Sequence, residues 1–391
     1  MKINKRISRF LPYSRQSIDK KDISEVNKIL KKDFITQGPK INEFEKNFAK
    51  YVGAKYAVAC ATGTAALHIA CQSLNLGKKG NLLTSPITFV ASANCAQFIG
   101  ADTHFSDIDL DNYCISPYSL EKVLKKKNID IVVVVHMSGH SADMERINAL
   151  RKKYDFKIIE DACHALGGSY KNKRIGSCFY SDISTFSFHP VKIITTGEGG
   201  VLLTNNSKIA EKAALHRSHG ITREQKLMTE PSHGDWYYQQ IDLGYNYRMT
   251  ELQAALGISQ MKRLDEFVSL RHKVSDRYDL LLKDLPVQIP TKVKKTYSGM
   301  HLYIIRLNLE EISASHKEVF KGLRENGIGV NLHYIPVHMQ PFYKSMGFNI
   351  GDFPESEKYY SEAISLPMFP HLSEKDQLKV ADVLSSKLFK E

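Results

Sequence analysis

The run Ile131–Val135 (IVVVV) constrains the fold of this 391-residue chain more than any other stretch. A strand that is apolar on both faces needs cover on both faces, which favours a largely parallel sheet with helices on either side. Further apolar runs precede and follow it, separated by helical stretches or loops. The pattern therefore predicts an α/β sheet that also contains strands at Tyr56–Cys60, Asn81–Thr84, Thr103–Phe105, Phe156–Glu160, Ile183–Phe188 and Val201–Thr204.

The pattern changes in the last third of the chain. Helical spacing of apolar residues runs from Thr250 to about Leu282, and two prolines and a lysine-rich turn follow it. Beyond them the sequence predicts a small α+β part, with strands and helices near Leu302–Leu307, Gly329–Tyr334, Lys317–Glu325 and Lys375–Leu388. We therefore expect a large domain over residues 1–265 and a smaller C-terminal domain over residues 266–391.

Charge and cysteine usage narrow the classes of function. Lysine and arginine outnumber acidic residues by 54 to 42, but they are spread along the chain. This spread favours a solvated surface or an anionic small-molecule ligand over nucleic acid, which needs basic residues clustered on one element. The six cysteines form no CxxC pair and indicate reduced thiols. The N-terminus lacks a signal peptide's apolar core and no apolar run approaches about 18 residues, so we expect a cytoplasmic protein with no membrane partner.

A glycine-rich loop, Ser187–Gly200 (SFHPVKIITTGEGG), separates two of the predicted strands and contains one lysine, Lys192. Such a loop exposes a side chain at the end of a sheet. Proline, valine and isoleucine flank Lys192, and apolar surroundings lower an ammonium pKa, which makes a lysine a nucleophile for a carbonyl group. Considered alone, a surface lysine beside a hairpin is an equally good interpretation.

Two other features follow predicted strands, where open α/β sheets bind ligands. Gly63 and Thr64 open a helix directly after Tyr56–Cys60, and free helix N-terminal amides suit a phosphate, although a plain helix cap explains them as well. Phe89 follows Asn81–Thr84, and its ring suits stacking on an aromatic cofactor, although a core aromatic is the commoner role.

Asp161 follows the predicted strand Phe156–Glu160. A carboxylate in that place can hold a pyridine nitrogen protonated, whereas the simpler interpretation is a helix cap. A metal site formed with Cys163 and His164 is a third interpretation. Because no second ligand pair stands at a recognisable spacing, we expect no metal.

A reactive lysine, an acid, a phosphate cradle and an aromatic ring together specify pyridoxal 5′-phosphate (PLP). Phe186–Gly200, with Glu160–Gly167 (EDACHALG), closely resembles the DegT/StrS-type nucleotide-sugar aminotransferases. The resemblance runs nearly end to end. Within the family, Pro12–Ile18, Ser85–Asn94 and Arg217–Ile221 look most like the members that act in the pseudaminic acid pathway. One departure is ATGT at Ala61–Thr64, where the family often has Ser-x-Thr or Ser-Gly-Thr.

The resemblance implies PLP-dependent transferase fold type I, the aspartate aminotransferase-like fold, with the cofactor on the large domain. It assigns Lys192 to covalent attachment of the cofactor and to proton transfer, Asp161 to the pyridinium, and His164 to the side of the ring hydroxyl. The cofactor would also contact Gly63, Thr64, Phe89, Ser187 and, from the partner subunit of a homodimer, Asn246. The substrate cleft would be lined by Tyr13, Asp33, Phe34, Ile35, Thr36, Gly63, Ser187, Asn246, His333, Tyr334, Ile335 and Pro336. Roles for His189 and Arg248 stay open.

The resemblance also implies the reaction. The amino group of L-glutamate would pass to C4 of a UDP-linked 4-keto-6-deoxy-N-acetyl-L-hexosamine, giving UDP-4-amino-4,6-dideoxy-N-acetyl-β-L-altrosamine. The alternatives are another 4-keto-6-deoxy sugar, either GDP-linked or a D-configured UDP sugar, and a PLP-fold relative that performs no transamination. Non-transaminating dehydratase relatives replace the lysine by histidine, so Lys192 argues against the last class.

Overall fold

A computed structural model of the chain describes residues 10–389. Residues 1–9, which belong to the stretch predicted not to be a signal peptide, lie outside the described residues, as do 390 and 391. The helices are α1 (Lys20–Leu30), α2 (Pro39–Val52), α3 (Gly63–Ser73), α4 (Ala91–Gln97), α5 (Pro117–Leu124), α6 (Met144–Tyr154), α7 (Ser207–Arg217), α8 (Glu251–Met261), α9 (Leu264–Leu282), α10 (His316–Glu325), α11 (Pro341–Lys344), α12 (Pro354–Glu362) and α13 (Glu374–Lys387).

The strands of the main sheet are β1 (Tyr56–Cys60), β2 (Asn81–Thr84), β3 (Asp102–Phe105), β4 (Ile131–Val135), β5 (Lys157–Asp161), β8 (Ile183–Ser187) and β9 (Gly200–Thr204). The shorter strands are β6 (Ser169–Tyr170), β7 (Lys173–Arg174), β10 (Ile221–Thr222), β11 (Gln239–Gln240), β12 (Val287–Gln288), β13 (Thr296–Tyr297), β14 (Tyr303–Leu307) and β15 (Ala363–Leu366).

The main sheet has the strand order β1-β9-β8-β5-β4-β2-β3. Its neighbours pair in parallel except at β9, which is antiparallel to both β1 and β8. Strands β8 and β9 are joined by a loop without a helix, and such a connection can join only antiparallel strands. Strand β4 is buried along its whole length, as its apolar sequence predicts. The predicted α/β fold with a large, mostly parallel sheet is confirmed.

Helix α9 changes packing partners along its length. Its first residues, Leu264, Phe267 and Val268, belong to the core beside α2 and β8, whereas Val274 and Leu282 belong to the core around β14 and β15. Strands β12, β14 and β15 form a separate antiparallel sheet in this later part of the chain. The domain boundary at residue 265 stays a prediction.

Two predictions for the second half are wrong. The predicted strand Gly329–Tyr334 is irregular and makes one isolated bridge, between Asn331 and Ser365. The stretch does not form a regular strand, because Gly329 donates its backbone hydrogen bond to the Leu11 carbonyl rather than to a neighbouring strand. The long helix predicted from Thr250 to Leu282 is two helices, α8 and α9, because the chain turns at Lys262 and Arg263. The apolar residues keep a helical spacing across this short break, so the sequence pattern does not reveal the break.

Within residues 10–389, no helix combines the length and apolar character needed to cross a membrane.

Candidate active site

A cavity of about 460 Å³ lies at the carboxyl ends of the central strands. Its volume is in the usual range of small-molecule sites, about 300–1,000 Å³. The predicted site residues that line it are Tyr13, Gly63, Thr64, Phe89, Asp161, His164, Ser187, Lys192 and Tyr334. The fold therefore brings together side chains that are far apart in the sequence.

Gly63 and Thr64 form the first turn of α3 at one wall of the cavity. Thr62 caps this helix, because its Oγ1 accepts a hydrogen bond from the Ala65 amide at 3.0 Å. The Gly63 and Thr64 amides donate to no acceptor within residues 10–389, and an anion is the natural partner of such amides. Ser187, at the end of β8, closes the other side. A Cβ on Gly63 would lie 2.8 Å from the Ser187 Cβ, so only glycine fits this approach.

Asp161 is the last residue of β5 and is buried at the cavity wall. Its Oδ2 accepts a hydrogen bond from the Ser92 hydroxyl at 2.6 Å, and its Oδ1 accepts one from the Cys163 amide at 3.2 Å. Two donors thus fix the plane of the carboxylate. A carboxylate held in this way can accept a third hydrogen bond from a cationic N–H in the cavity.

Lys192 lies in the loop between β8 and β9, half-buried at the cavity wall. Lys192 lies in a turn that two backbone hydrogen bonds close. Its own amide donates to the His189 carbonyl at 2.9 Å, and the Thr196 amide donates to the Phe188 carbonyl at 3.0 Å. Burial lowers the pKa of the Lys192 ammonium, while the nearby Cys163 and Asp161 raise it by a smaller amount. A lysine whose pKa falls below the ordinary value has more free amine at neutral pH, as a nucleophile for an aldehyde requires.

His164 is held as a neutral imidazole of defined tautomer. The Ser138 amide donates to its Nδ1 at 3.3 Å, so the ring proton is on Nε2 and is donated to the Tyr334 hydroxyl oxygen at 3.1 Å. Burial lowers the pKa of His164 well below its ordinary value, and the positive charge of Lys192 lowers it further. Burial and the nearby Asp161 carboxylate raise the pKa of Tyr334, so its phenol stays protonated. Its hydroxyl proton is available to a ligand.

Tyr13 reaches the cavity from the N-terminal segment, which three contacts hold. The Ser14 hydroxyl donates to the Val191 carbonyl at 3.1 Å, beside Lys192. The Tyr13 carbonyl accepts a hydrogen bond from the Met368 amide at 2.8 Å, and Leu11 exchanges backbone hydrogen bonds with the turn at 327–329. The segment therefore joins the lysine loop to the C-terminal part of the chain.

Other predicted residues do not line this cavity. Asp33, Phe34, Ile35 and Thr36 are exposed, with 61% of Phe34 accessible, and Thr36 bridges to Thr250 instead. Asn246 is exposed and bridges to Ser218. His333 is buried behind Tyr13, with ring centroids 5.4 Å apart, and its Nδ1 lies 2.8 Å from the Ser365 hydroxyl. Ile335 and Pro336, which follow Tyr334, are not among the lining residues. Their assignment to the substrate cleft stays a prediction, as does the entry of Asn246 from a partner subunit.

Several lining residues were not predicted as site residues: Thr62, Thr88, Cys163, Glu198 and Asn331. Ser92, which contacts Asp161, was also missed. Thr88 and Ser92 are four residues apart just after β2, and this spacing of two hydroxyls at a strand end was the available signal. Of the two residues with open roles, His189 lines the cavity, and Arg248 bridges to Cys60 beside the first turn of α3. Within residues 10–389, no group of three or more His, Cys, Asp or Glu side chains is arranged to hold a metal ion.

The residues fit PLP. The unpaired amides of Gly63 and Thr64, with Ser187, suit its phosphate, and the glycine leaves the space that the phosphate needs. Asp161 suits the ring nitrogen, and Lys192 suits the aldehyde. Phe89 stands at the mouth, 56% exposed, with its ring centroid 6.1 Å from that of Tyr334. Its place over the cofactor ring stays a prediction.

Comparison with known proteins gives consistent matches over nearly the whole chain. Residues 16–385 match the sequence profile of the DegT/DnrJ/EryC1/StrS aminotransferase family. The UDP-4-amino-4,6-dideoxy-N-acetyl-beta-L-altrosamine transaminase of Campylobacter jejuni is 38% identical over 383 residues, covering 97% of this chain and 98% of the relative. The spore coat polysaccharide biosynthesis protein SpsC of Bacillus subtilis is 37% identical over 380 residues, covering 96% of each chain. The structure of Helicobacter pylori PseC, an aminotransferase involved in the biosynthesis of pseudoaminic acid, superposes with a TM-score of 0.89 at 30% identity, covering 97% of this chain and 99% of PseC.

Proposed function

Because the chain belongs to the DegT/DnrJ/EryC1/StrS aminotransferase family and is a PLP-dependent sugar aminotransferase, we propose its two substrates. The amino donor is L-glutamate, which leaves as 2-oxoglutarate. The acceptor is a UDP-linked 4-keto-6-deoxy-N-acetyl-L-hexosamine, which becomes UDP-4-amino-4,6-dideoxy-N-acetyl-β-L-altrosamine. The amino nitrogen and the electron pair of the donor Cα–H bond pass to the sugar C4; the C4 carbonyl oxygen leaves as water, and a second water supplies the carbonyl oxygen of 2-oxoglutarate.

The observation that carries this proposal is the convergence of Lys192, Asp161, His164 and the Gly63–Ser187 approach on one cavity. Bound PLP supplies an electron sink for breaking the C–H bond at the carbon that carries nitrogen. Lys192, as a free amine, would hold the aldehyde carbon, whose oxygen would leave as water, and would move the proton at the substrate carbon. Asp161 keeps the ring nitrogen protonated, and Tyr334 donates a hydrogen bond whose direction His164 fixes.

The choice of sugar rests on similarity. The relatives from Campylobacter jejuni and Helicobacter pylori both carry names from pseudaminic acid synthesis, and they match almost all of this chain. SpsC is almost as similar and is named for a spore coat polysaccharide, so another 4-keto-6-deoxy nucleotide sugar is the second candidate. The surplus of basic residues, 54 against 42 acidic, accommodates a diphosphate in either case.

We include in the proposal a homodimer in the cytoplasm. Within the described residues 10–389, the cavity lining contains one lysine, Lys192, and no arginine. A dicarboxylate donor and a diphosphate acceptor need further hydrogen-bond donors, and a second copy that brings Asn246 and its neighbour Arg248 to the cavity mouth would supply them.

The test separates cofactor, donor and acceptor. Borohydride reduction of the purified yellow protein, followed by peptide mass spectrometry, should place PLP on Lys192, and the Lys192→Ala variant should show no adduct. The protein is then incubated with [15N]glutamate and candidate UDP- and GDP-linked 4-keto sugars. Mass spectrometry should find 15N in the L-configured UDP sugar. Transfer only to the GDP sugar, or only to the D-configured UDP sugar, would overturn the acceptor assignment. Label from another amino acid only would overturn the donor.

A further inference from the structure

Two buried hydroxyl groups, those of Ser92 and of the cavity-lining residue Thr88, lie beside Asp161. Ser92 is 0% exposed, and its Oγ is 2.6 Å from the Oδ2 of Asp161. Thr88 is 1% exposed, and its Oγ1 is 2.8 Å from the Ser92 Oγ. Thr88 lies in the segment between β2 and α4, and Ser92 lies in the first turn of α4. The three side chains form a continuous line of hydrogen bonds that ends at the carboxylate.

The number of protons fixes the direction of these hydrogen bonds. An ionised carboxylate can only accept, so the single hydroxyl proton of Ser92 points to Asp161. Ser92 must then accept from Thr88, which donates its own proton. The hydrogen bond from Thr88 polarises the Ser92 hydroxyl, which then donates more strongly to the Oδ2 of Asp161.

The Ser92 hydroxyl has no role in holding its own helix. Its amide donates to the Phe89 carbonyl, its carbonyl accepts from Cys95, and α4 begins without any side-chain cap. Removal of the oxygen should therefore leave α4 intact, because alanine is a good helix former. The hydroxyl acts on the carboxylate.

We propose that Thr88 and Ser92 are positioning residues that stabilise the ionised form of Asp161 and thereby keep the proton on the cofactor's ring nitrogen. This inference rests on the proposed role of Asp161. A hydrogen bond donated to a carboxylate favours its charged form. Without that bond Asp161 becomes a stronger base, and the proton shared with the ring nitrogen moves toward the carboxylate. The ring then withdraws electrons less well.

The experiment uses the holoenzyme reconstituted with PLP labelled with 15N at the ring nitrogen. The 15N chemical shift reports directly whether that nitrogen is protonated, independently of activity. In Ser92→Ala the resonance should move toward that of neutral pyridine, and kcat should fall about tenfold, the size expected for one hydrogen bond to a charged group. Thr88→Val, which keeps the side-chain shape, should move the resonance in the same direction by less. Ser92→Thr, which keeps the hydroxyl, should restore the wild-type resonance.

Two controls make each outcome decisive. Ser73→Ala removes another buried hydroxyl, one that donates to the Ile69 carbonyl at 2.6 Å within α3, and should leave the resonance unchanged. Asp161→Asn tests the carboxylate itself. If Asp161→Asn moves the resonance and neither Ser92→Ala nor Thr88→Val does, the relay is overturned while the role of Asp161 stands. An unmoved resonance in Asp161→Asn overturns both.

Discussion

The close approach of Gly63 to Ser187 gives a quantitative prediction for Gly63→Ala. The added Cβ would lie 2.8 Å from the Ser187 Cβ and 3.2 Å from its Oγ, whereas carbon atoms in contact lie about 3.5–4.0 Å apart. One of the two must therefore move by about 0.7 Å or more. Overpacking of this kind costs about 1–3 kcal/mol.

The cost should appear mainly in cofactor binding. In the apoenzyme of the variant we expect Ser187 and α3 to move apart, and the helix preference of alanine offsets up to about 1 kcal/mol of the strain. Bound phosphate requires the donors on both sides to converge, so the strain returns. We expect the dissociation constant of PLP to rise about 10- to 100-fold, since about 1.4 kcal/mol corresponds to a factor of ten.

The assay is titration of the apoenzyme with PLP, followed by absorbance, with thermal unfolding measured in parallel. Gly77→Ala is the matched control, because no atom lies within 4 Å of its added Cβ. Gly63→Ala protein that binds PLP with wild-type affinity would show that the phosphate is not held between α3 and Ser187.

Three further predictions follow from the same site. Burial, with Lys192 nearby, lowers the pKa of His333 to about 3, whereas its value in the unfolded chain is about 6.5. Between these two pH values only the unfolded chain binds this proton. The free energy of unfolding should therefore decrease as the pH is lowered, by up to about 1.4 kcal/mol per pH unit. In urea titrations at several pH values, His333→Gln should reduce this dependence of unfolding free energy on pH. His371→Gln, which replaces an exposed histidine, should not. An equal pH dependence in His333→Gln and the wild type would show that His333 is not the group responsible. Tyr334→Phe leaves the buried Nε2–H of His164 without an acceptor and should lower kcat about tenfold. The control is Tyr343→Phe, which removes a hydroxyl that contacts Asn94 and should leave kcat unchanged. An unchanged kcat in Tyr334→Phe would show that Tyr334 takes no part in the reaction. Lys192→Ala and Asn246→Ala should each be inactive, but a refolded mixture of the two variants should recover about a quarter of the wild-type activity. Half of the randomly formed dimers contain one subunit of each variant, and each of these dimers has one intact site out of two. If no activity is recovered, Asn246 belongs to its own subunit's site or lies outside the site.

The sequence predicted the parts of the fold that local patterns determine. The limits of β1, β2 and β4 agree with their apolar runs. Strand β4 is buried along its whole length, and a strand buried on both faces must be apolar throughout. Lys192 and Asp161 could be chosen as site candidates because polar residues at strand ends meet at one edge of a parallel sheet.

Contacts between distant segments could not be predicted in this way. The path of residues 329–334 depends on Leu11, which is more than three hundred residues away, so local β-propensity misled. Ser92 and Thr88 have no distinctive composition, and their importance arises only because the sheet places Asp161 beside them. Asp33–Thr36 were assigned from resemblance, and they lie on the surface of the described chain.

The N-terminal segment has a consequence for synthesis on the ribosome. Met368, which holds the backbone of Tyr13, and the turn at 327–329, which holds that of Leu11, are made more than three hundred residues after them. The cavity residues that suit the cofactor run from Gly63 to Lys192, so a nascent chain that has emerged through α8 already contains them. Tyr334 and the anchors of Tyr13 are added later. Cofactor binding can therefore precede the ability to discriminate between sugars, and the substrate side of the site is complete only when the segment around Tyr13 meets Met368 and the turn at 327–329.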